Sequence, residues 1–300
     1  MSRGSARQRR IRLSVERLED RSVPSAALAF DQAEPAISAP RAAAIGESVP
    51  RAALLPAVPA VSVSPARTDT HGFLIHVVRS PYEAGTTQIR VLLPDQVEPG
   101  KSYPVVFLLP VEAGRQNVFG DGLAEAQRSN LPNRFQAIFV APTFSHLPWY
   151  ADHPWRAEIR QETYFLKVVL PFIRAAYPVR NDAGGVLLLG FSKSGFGAFS
   201  LLLRHPDIFG KAAAWDAPLL MAQPNQFGMG AIFGTQANFE RYRITTLLKR
   251  QASLLGRAPR LVLLGYNAFR SQHHQVHALM TRLGVPHVYR DGPPRAHTWS

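Results

Sequence analysis

From about residue 69 onward, short apolar runs alternate with stretches whose apolar residues recur at helical spacing. GFLIHVVRS (72–80) and TQIRVLLP (87–94), joined by the turn-prone PYEAGT, predict an antiparallel hairpin. YPVVFLLP (103–110) and QAIFVAP (136–142) are continuous apolar strands of the kind buried on both faces. Residues 156–177 carry helical spacing, interrupted by Pro171, which should kink or split the helix. The pattern continues as strand 184–190, helix 194–205, strand 211–215, helix 239–255, strand 259–265, helix 271–284 and strand 286–290. Eight strands with intervening helices, opening on a hairpin, imply a mostly parallel sheet covered by helices on both faces.

Residues 22–68 break this rhythm, being rich in alanine, proline and serine with no sustained period. With the arginine-dense residues 1–21 they are expected to form a disordered arm and linker, which leaves 69–300 as the folded domain. The formal net charge of +13 raises nucleic-acid binding, but the arginines are scattered and no reading motif accompanies them. A solvated basic tail is the expected role of the N-terminus. Cysteine is absent, which excludes a thiolate nucleophile and disulfides. No apolar run approaches a membrane span.

LLLGFSKSGFG (187–197) places two serines where a strand passes into a helix. A nucleophilic serine on such a turn needs small residues two before and two after it, because the backbone is tightly folded there. Ser192 has Gly190 and Ser194 at those positions, whereas Ser194 would have Ser192 and bulky Phe196. Ser192 is therefore the candidate nucleophile. His297, after the last strand, is the candidate base, since a neutral imidazole at hydrogen-bond distance can take the hydroxyl proton. The acid is less determined. Asp216 ends the strand after the nucleophile helix, while the more usual position, after the next strand, holds Asn267 and no carboxylate. Asp216 is the favoured acid, with an amide at Asn267 or an incomplete triad as the alternatives. Oxyanion donors are expected from the backbone of Lys193 and, because Pro110 has no N–H, from Val111 or preferably Glu112. His273 and His277 have the i, i+4 spacing of a metal pair, but an exposed helix face is the expected reading because no third ligand is evident. His205 is expected to cap the nucleophile helix, and His146 and His153 to line a pocket.

With these residues in place, 69–300 resembles the esterase family of α/β-hydrolases that includes esterase D, feruloyl esterases and mycolyltransferases. The family's G-x-S-M-G-G-x-G-A is similar to GFSKSGFGA (190–198), and its Y-P-V-x-Y-L-L-H-G to YPVVFLLPV (103–111). AHTW (296–299) resembles its G-H-D-W, and the helix and Tyr-Pro of ETYFLKVVLPFIRAAYP resemble its own. The W-Y-x-D region is like Trp149, Tyr150 and Asp152, which the resemblance places in the substrate pocket. It implies an α/β-hydrolase fold and cleavage of carboxylic esters through an acyl-enzyme, with acyl transfer to a sugar as a variant. It also implies a small-molecule or glycan ester as substrate and no cofactor or metal. Three departures stand out: Pro110-Val111 replaces His-Gly, Ser194 replaces glycine, and the usual acid is missing. The chain also stops three residues after His297, where family members continue into a covering helix, so the His297 loop is expected to be weakly held. These departures leave a catalytically degraded binding module as the alternative function. RLSVERLEDRSVPS (12–25) resembles an N-terminal segment of exported planctomycete proteins, which suggests export or a place in the cell envelope, with the cytoplasm as the alternative.

Overall fold

The computed structural model describes residues 60–265 and 267–299. Its strands are β1 Ser62–Val63, β2 Arg67–Thr68, β3 Leu74–Arg79, β4 Thr86–Leu92, β5 Val105–Leu109, β6 Ile138–Pro142, β7 Val186–Phe191, β8 Lys211–Trp215, β9 Leu261–Gly265 and β10 His287–Asp291. They form one sheet in the order β1-β3-β4-β6-β5-β7-β8-β9-β10, with β2 also on β3. The first strands pair antiparallel up to β4–β6, and every pairing from β5 to β10 is parallel. The eight longer strands match the eight expected from the sequence. The order puts β5 and β8 on either side of β7, so the turns that leave these three strands share one edge.

Strand residues alternate between two apolar cores. Val105, Phe107, Val186, Leu188, Ala212 and Leu263 join helices Ser192–Arg204, Ile244–Gln251 and Arg270–Arg282 on one face. Leu108, Phe139, Ala141 and Phe191 pack with Leu123, Ala126 and Trp299 on the other. A parallel sheet with helices on both faces is the arrangement expected from continuous strands such as VLLLGF.

Three features differ from the sequence expectation. The paired backbone begins before residue 69, because β1 and β2 lie antiparallel against β3, with Ser64 Oγ accepting the Val77 N–H at 2.9 Å. Two-residue strands are too short for any periodicity to announce them. The part of the expected arm formed by residues 1–59, including the segment at 12–25, lies outside the described residues. The helix expected over 156–177 begins at Gln161, and Phe165–Val169 widens into a π-helical turn immediately before Pro171. Proline has no N–H for the i−4 carbonyl and its ring crowds it, so a wider turn is one way the helix passes through. Helix Gly122–Arg128 has no counterpart in the expectation. Its N-cap Asp121 accepts the Leu123 and Ala124 N–H groups and pairs with Arg90 at 2.7 Å.

The end of helix Ser192–Arg204 is tied down by a buried charge. Glu162 accepts from Arg204 Nε at 2.7 Å and Nη2 at 2.9 Å, from His205 Nε2 at 2.7 Å and from Tyr242 Oη at 3.0 Å. His205 thus sits at the helix C-terminus as expected and joins it to a neighbouring helix. Burial by itself would raise the Glu162 pKa, but the bonds from His205 and Arg204 outweigh it and hold it at about 2. A carboxylate held below its ordinary value contributes stability fully above that value and loses it as pH falls through the folded pKa. The shift corresponds to about 3 kcal/mol.

Glu162→Gln is therefore expected to lower Tm at neutral pH by several degrees, with the gap from the parent closing between about pH 5 and pH 2. Melts followed by circular dichroism check this, and a pH-independent gap would contradict it. A chain starting at Asp69 is expected to melt below one starting at Ala60, since it exposes the β3 edge that Ser62–Val63 and Arg67–Thr68 cover. Equal melting temperatures would place the boundary at 69.

Candidate active site

At the end of β7 the chain reverses into helix Ser192–Arg204 with no intervening loop. The reversal forces Ser192 to φ 51°, a left-handed conformation that costs a non-glycine residue roughly 1–3 kcal/mol. Gly190 is required by contact: a Cβ there would lie 2.3 Å from the Ser194 carbonyl oxygen. The Ser194 hydroxyl closes the turn, accepting the Phe191 N–H at 3.0 Å and donating to the Phe191 carbonyl at 2.8 Å. The two serines are thus separated by environment. Ser194 is wholly buried and bonded to backbone, whereas Ser192 Oγ lies 3.0 Å from His297 Nε2.

His297 Nδ1 is 2.5 Å from Asp216 Oδ2, and Asp216 is 1% exposed. The second carboxylate oxygen of Asp216 accepts the Phe269 N–H at 2.7 Å. Asp216 follows β8 at φ 40°, another left-handed non-glycine residue. Asn267, the alternative acid position, is exposed at the start of the turn Asn267–Phe269. That turn contributes the Phe269 N–H to the carboxylate. The carboxylate therefore reaches the histidine from β8, one strand nearer Ser192 than Asn267.

The C-terminal segment is held more firmly than the expectation allowed. Trp299 is 8% exposed, its N–H donates to the Phe119 carbonyl at 2.9 Å, and its ring packs against Phe191 and Trp215. Gly120 and Gly122 leave room for it: a Cβ on Gly122 would lie 2.8 Å from the indole. Around His297 stand the rings of Phe191, Phe119 and Phe269, with centroids at 5.0, 5.9 and 6.0 Å. A large buried aromatic two residues downstream of His297 anchors the segment that carries it.

Lys193 lies in the first turn of helix Ser192–Arg204, where backbone N–H groups have no intrahelical acceptor. Its ammonium lies over the Phe119 ring at 5.9 Å, and burial pulls its pKa down. Glu112 is buried just beyond β5, with its carboxylate accepting the Phe119 N–H at 3.3 Å. Since Leu109 pairs with Gly190, residues 111–112 flank the Ser192 turn.

The expected pocket residues occupy other places. Trp149 and Tyr150 are fully buried, Trp149 against Phe196 and Phe233, and Tyr150 so close to helix Ser192–Arg204 that a Cβ on Gly197 would fall 2.0 Å from its ring. They are core, and the cause is their apolar area beside a glycine-bearing helix. Tyr150 still touches the site's frame, donating from its hydroxyl to the Pro110 carbonyl at 2.7 Å. Asp152 accepts the Thr163 N–H at 3.0 Å and pairs with Arg160 at 3.2 Å. His153 is buried and accepts the Arg156 N–H at 3.2 Å, while His146 contacts Ser145 Oγ at 3.0 Å. A cavity of about 260 Å³ lies elsewhere, beside Pro110, Val111 and Glu112, and is walled by Arg90, Asp121, Thr143 and Trp299.

His273 and His277 are not a matched pair on an exposed helix face. His273 is completely buried, while His277 Nδ1 meets His287 Nε2 at 2.8 Å. Among the described residues no group of three or more His, Asp or Glu is placed to hold a metal ion, and no helix is long and apolar enough to cross a membrane.

Residues 80–258 match the family described as "Putative esterase". Esterase Rv1288 of Mycobacterium tuberculosis is 26% identical over 140 residues, covering 43% of this chain and 29% of the relative, so the chain spans under a third of that protein. Among solved structures, a ferulic acid esterase superposes with TM-score 0.59 at 23% identity, over 76% of this chain and 91% of the other. FphF, a fluorophosphonate-binding serine hydrolase of Staphylococcus aureus, superposes with TM-score 0.61 at 17% identity, over 79% and 93%. The family match over more than half of its length, on the strand order described above, makes the chain a member of the esterase family of α/β-hydrolases.

Proposed function

We propose that the protein hydrolyses carboxylic esters through an acyl-enzyme, with Ser192 as nucleophile, His297 as general base and Asp216 as the orienting acid. The carrying observation is the continuous path from Asp216 Oδ2 through His297 to Ser192 Oγ, with steps of 2.5 and 3.0 Å. Asp216 accepts the Nδ1 proton of His297, which leaves the Nε2 lone pair facing the serine hydroxyl. Ser192 Oγ attacks the ester carbonyl as its proton passes to Nε2, and the carbonyl π electrons move onto oxygen. The Lys193 and Glu112 N–H groups hold that oxyanion. Its collapse expels the alkoxide, which takes the proton from the imidazolium. Water then repeats the sequence on the acyl-enzyme and frees Ser192. A sugar hydroxyl in place of water would give acyl transfer by the same half-reaction.

The aromatic rings beside His297 favour an ester with an apolar or aromatic group near the carbonyl, and the name of the ferulic acid esterase relative agrees with that preference. The degraded-module reading rested in part on a missing acid. A buried carboxylate on Nδ1 argues against it.

Ser192→Ala is expected to abolish turnover of a p-nitrophenyl ester. Ser194→Ala is expected to retain the nucleophile, to lose about 1–3 kcal/mol of stability because the buried Phe191 N–H loses its acceptor, and to keep most of kcat. The opposite ranking would reverse the two serines' roles. Asp216→Asn is expected to lower kcat at least ~10²-fold with KM little changed, while Asn267→Ala is mild. An active Asp216→Asn enzyme together with an Asn267→Asp variant faster than the parent would assign the acid to the β9 position.

A further inference from the structure

We infer that His273 is a positioning residue for Asp216, accepting the Ala217 N–H through Nε2 and so fixing the left-handed turn that presents the carboxylate to His297. This rests on the reading of Asp216, His297 and Ser192 as a triad. Asp216 at φ 40° sits in a conformation that its own backbone does not favour, so the surroundings must hold it. They do so from one element, the start of helix Arg270–Arg282 and the turn before it. Phe269 N–H bonds Asp216 Oδ1 at 2.7 Å, His273 Nε2 accepts the Ala217 N–H at 2.8 Å, and Gln272 Oε1 accepts the Leu220 N–H at 2.8 Å. The segment that carries Asn267, where the acid is more usually found, thus grips the chain that carries the acid here.

The chemistry of His273 points to this one bond. The residue is 0% exposed in the first turn of the helix, against Gly265, where a Cβ would approach its own Cβ to 3.1 Å. An imidazole that accepts at Nε2 carries its proton on Nδ1, and Nδ1 is buried without a partner among the described residues. An apolar side chain would avoid that unsatisfied donor but would leave the Ala217 N–H without its acceptor. Burial pushes the His273 pKa down to about 4, so the ring stays neutral and able to accept at working pH.

The test compares H273Q, H273N and H273L with the parent on one p-nitrophenyl ester, with melting curves alongside. Gln places an amide oxygen near the former Nε2 and should keep kcat within a few-fold. Asn, too short, and Leu, without an acceptor, should lower kcat about 10- to 100-fold with KM nearly unchanged, on the scale of an ångström-sized misplacement of a catalytic group. Nitrogen NMR of the parent should show His273 with the proton on Nδ1. Parent-like kcat in H273L, equal losses in H273Q and H273L, or a proton on Nε2 would overturn the inference. If the parent itself neither turns over the ester nor reacts with a serine-directed phosphonate, the hydrolase reading fails instead, and the NMR result still decides whether His273 accepts the Ala217 N–H.

Discussion

The backbone reversal at Ser192 is the constraint on which the rest depends. A strand running straight into a helix leaves the residue between them no right-handed option, and Ser192 takes φ 51°. Three small residues make the reversal possible. Gly190 admits the Ser194 carbonyl, Ser194 ties off the Phe191 peptide, and Gly195 lets the helix approach Ala217, where a Cβ would be 2.7 Å from the alanine methyl. The serine in place of the family's glycine at 194 is therefore not a loosening of the turn. It adds two hydrogen bonds to the strained peptide while remaining small enough to be buried.

Strain at Ser192 is useful for the proposed chemistry only if the partner groups arrive at the same point, and here each is brought by a separate anchor. His297 is fixed by Trp299, which fills the space that Gly120 and Gly122 leave open. Asp216 arrives from β8, already beside β7, and is braced by the turn and helix that follow β9. Relative to the more usual arrangement, the carboxylate and the segment that would have carried it have exchanged tasks: the neighbouring strand delivers the charge and the further one supplies N–H and imidazole support. A parallel sheet permits this because adjacent strands end on the same edge.

Much of this was legible in the sequence because it rests on local pattern. The eight longer strands follow from apolar runs, and the choice of Ser192 over Ser194 follows from the volume of Phe196 against that of Ser194. His297 follows from chain order. The rest depends on contacts between distant segments, which no local pattern encodes. Trp149 and Tyr150 look like pocket aromatics until Gly197 is seen to draw the Tyr150 ring onto the helix. His273 looks like half of a helical pair until its ring is found buried against Ala217, 56 residues away in sequence. The only advance signal for it was a polar residue three positions before Val276, on what proves to be the helix's buried face. The short strands Ser62–Val63 and Arg67–Thr68 have no periodicity to read, and their pairing is fixed by the β3 edge they cover.

Ser192, and not its neighbour two residues on, is the residue proposed to carry covalent chemistry. Labelling the intact protein with a fluorophosphonate and mapping the modified peptide by mass spectrometry tests it without any assumption about substrate. The predicted result is a single adduct on Ser192, formed at a rate that collapses when His297 is replaced by glutamine. An adduct on Ser194, or none on the 187–197 peptide, would contradict it.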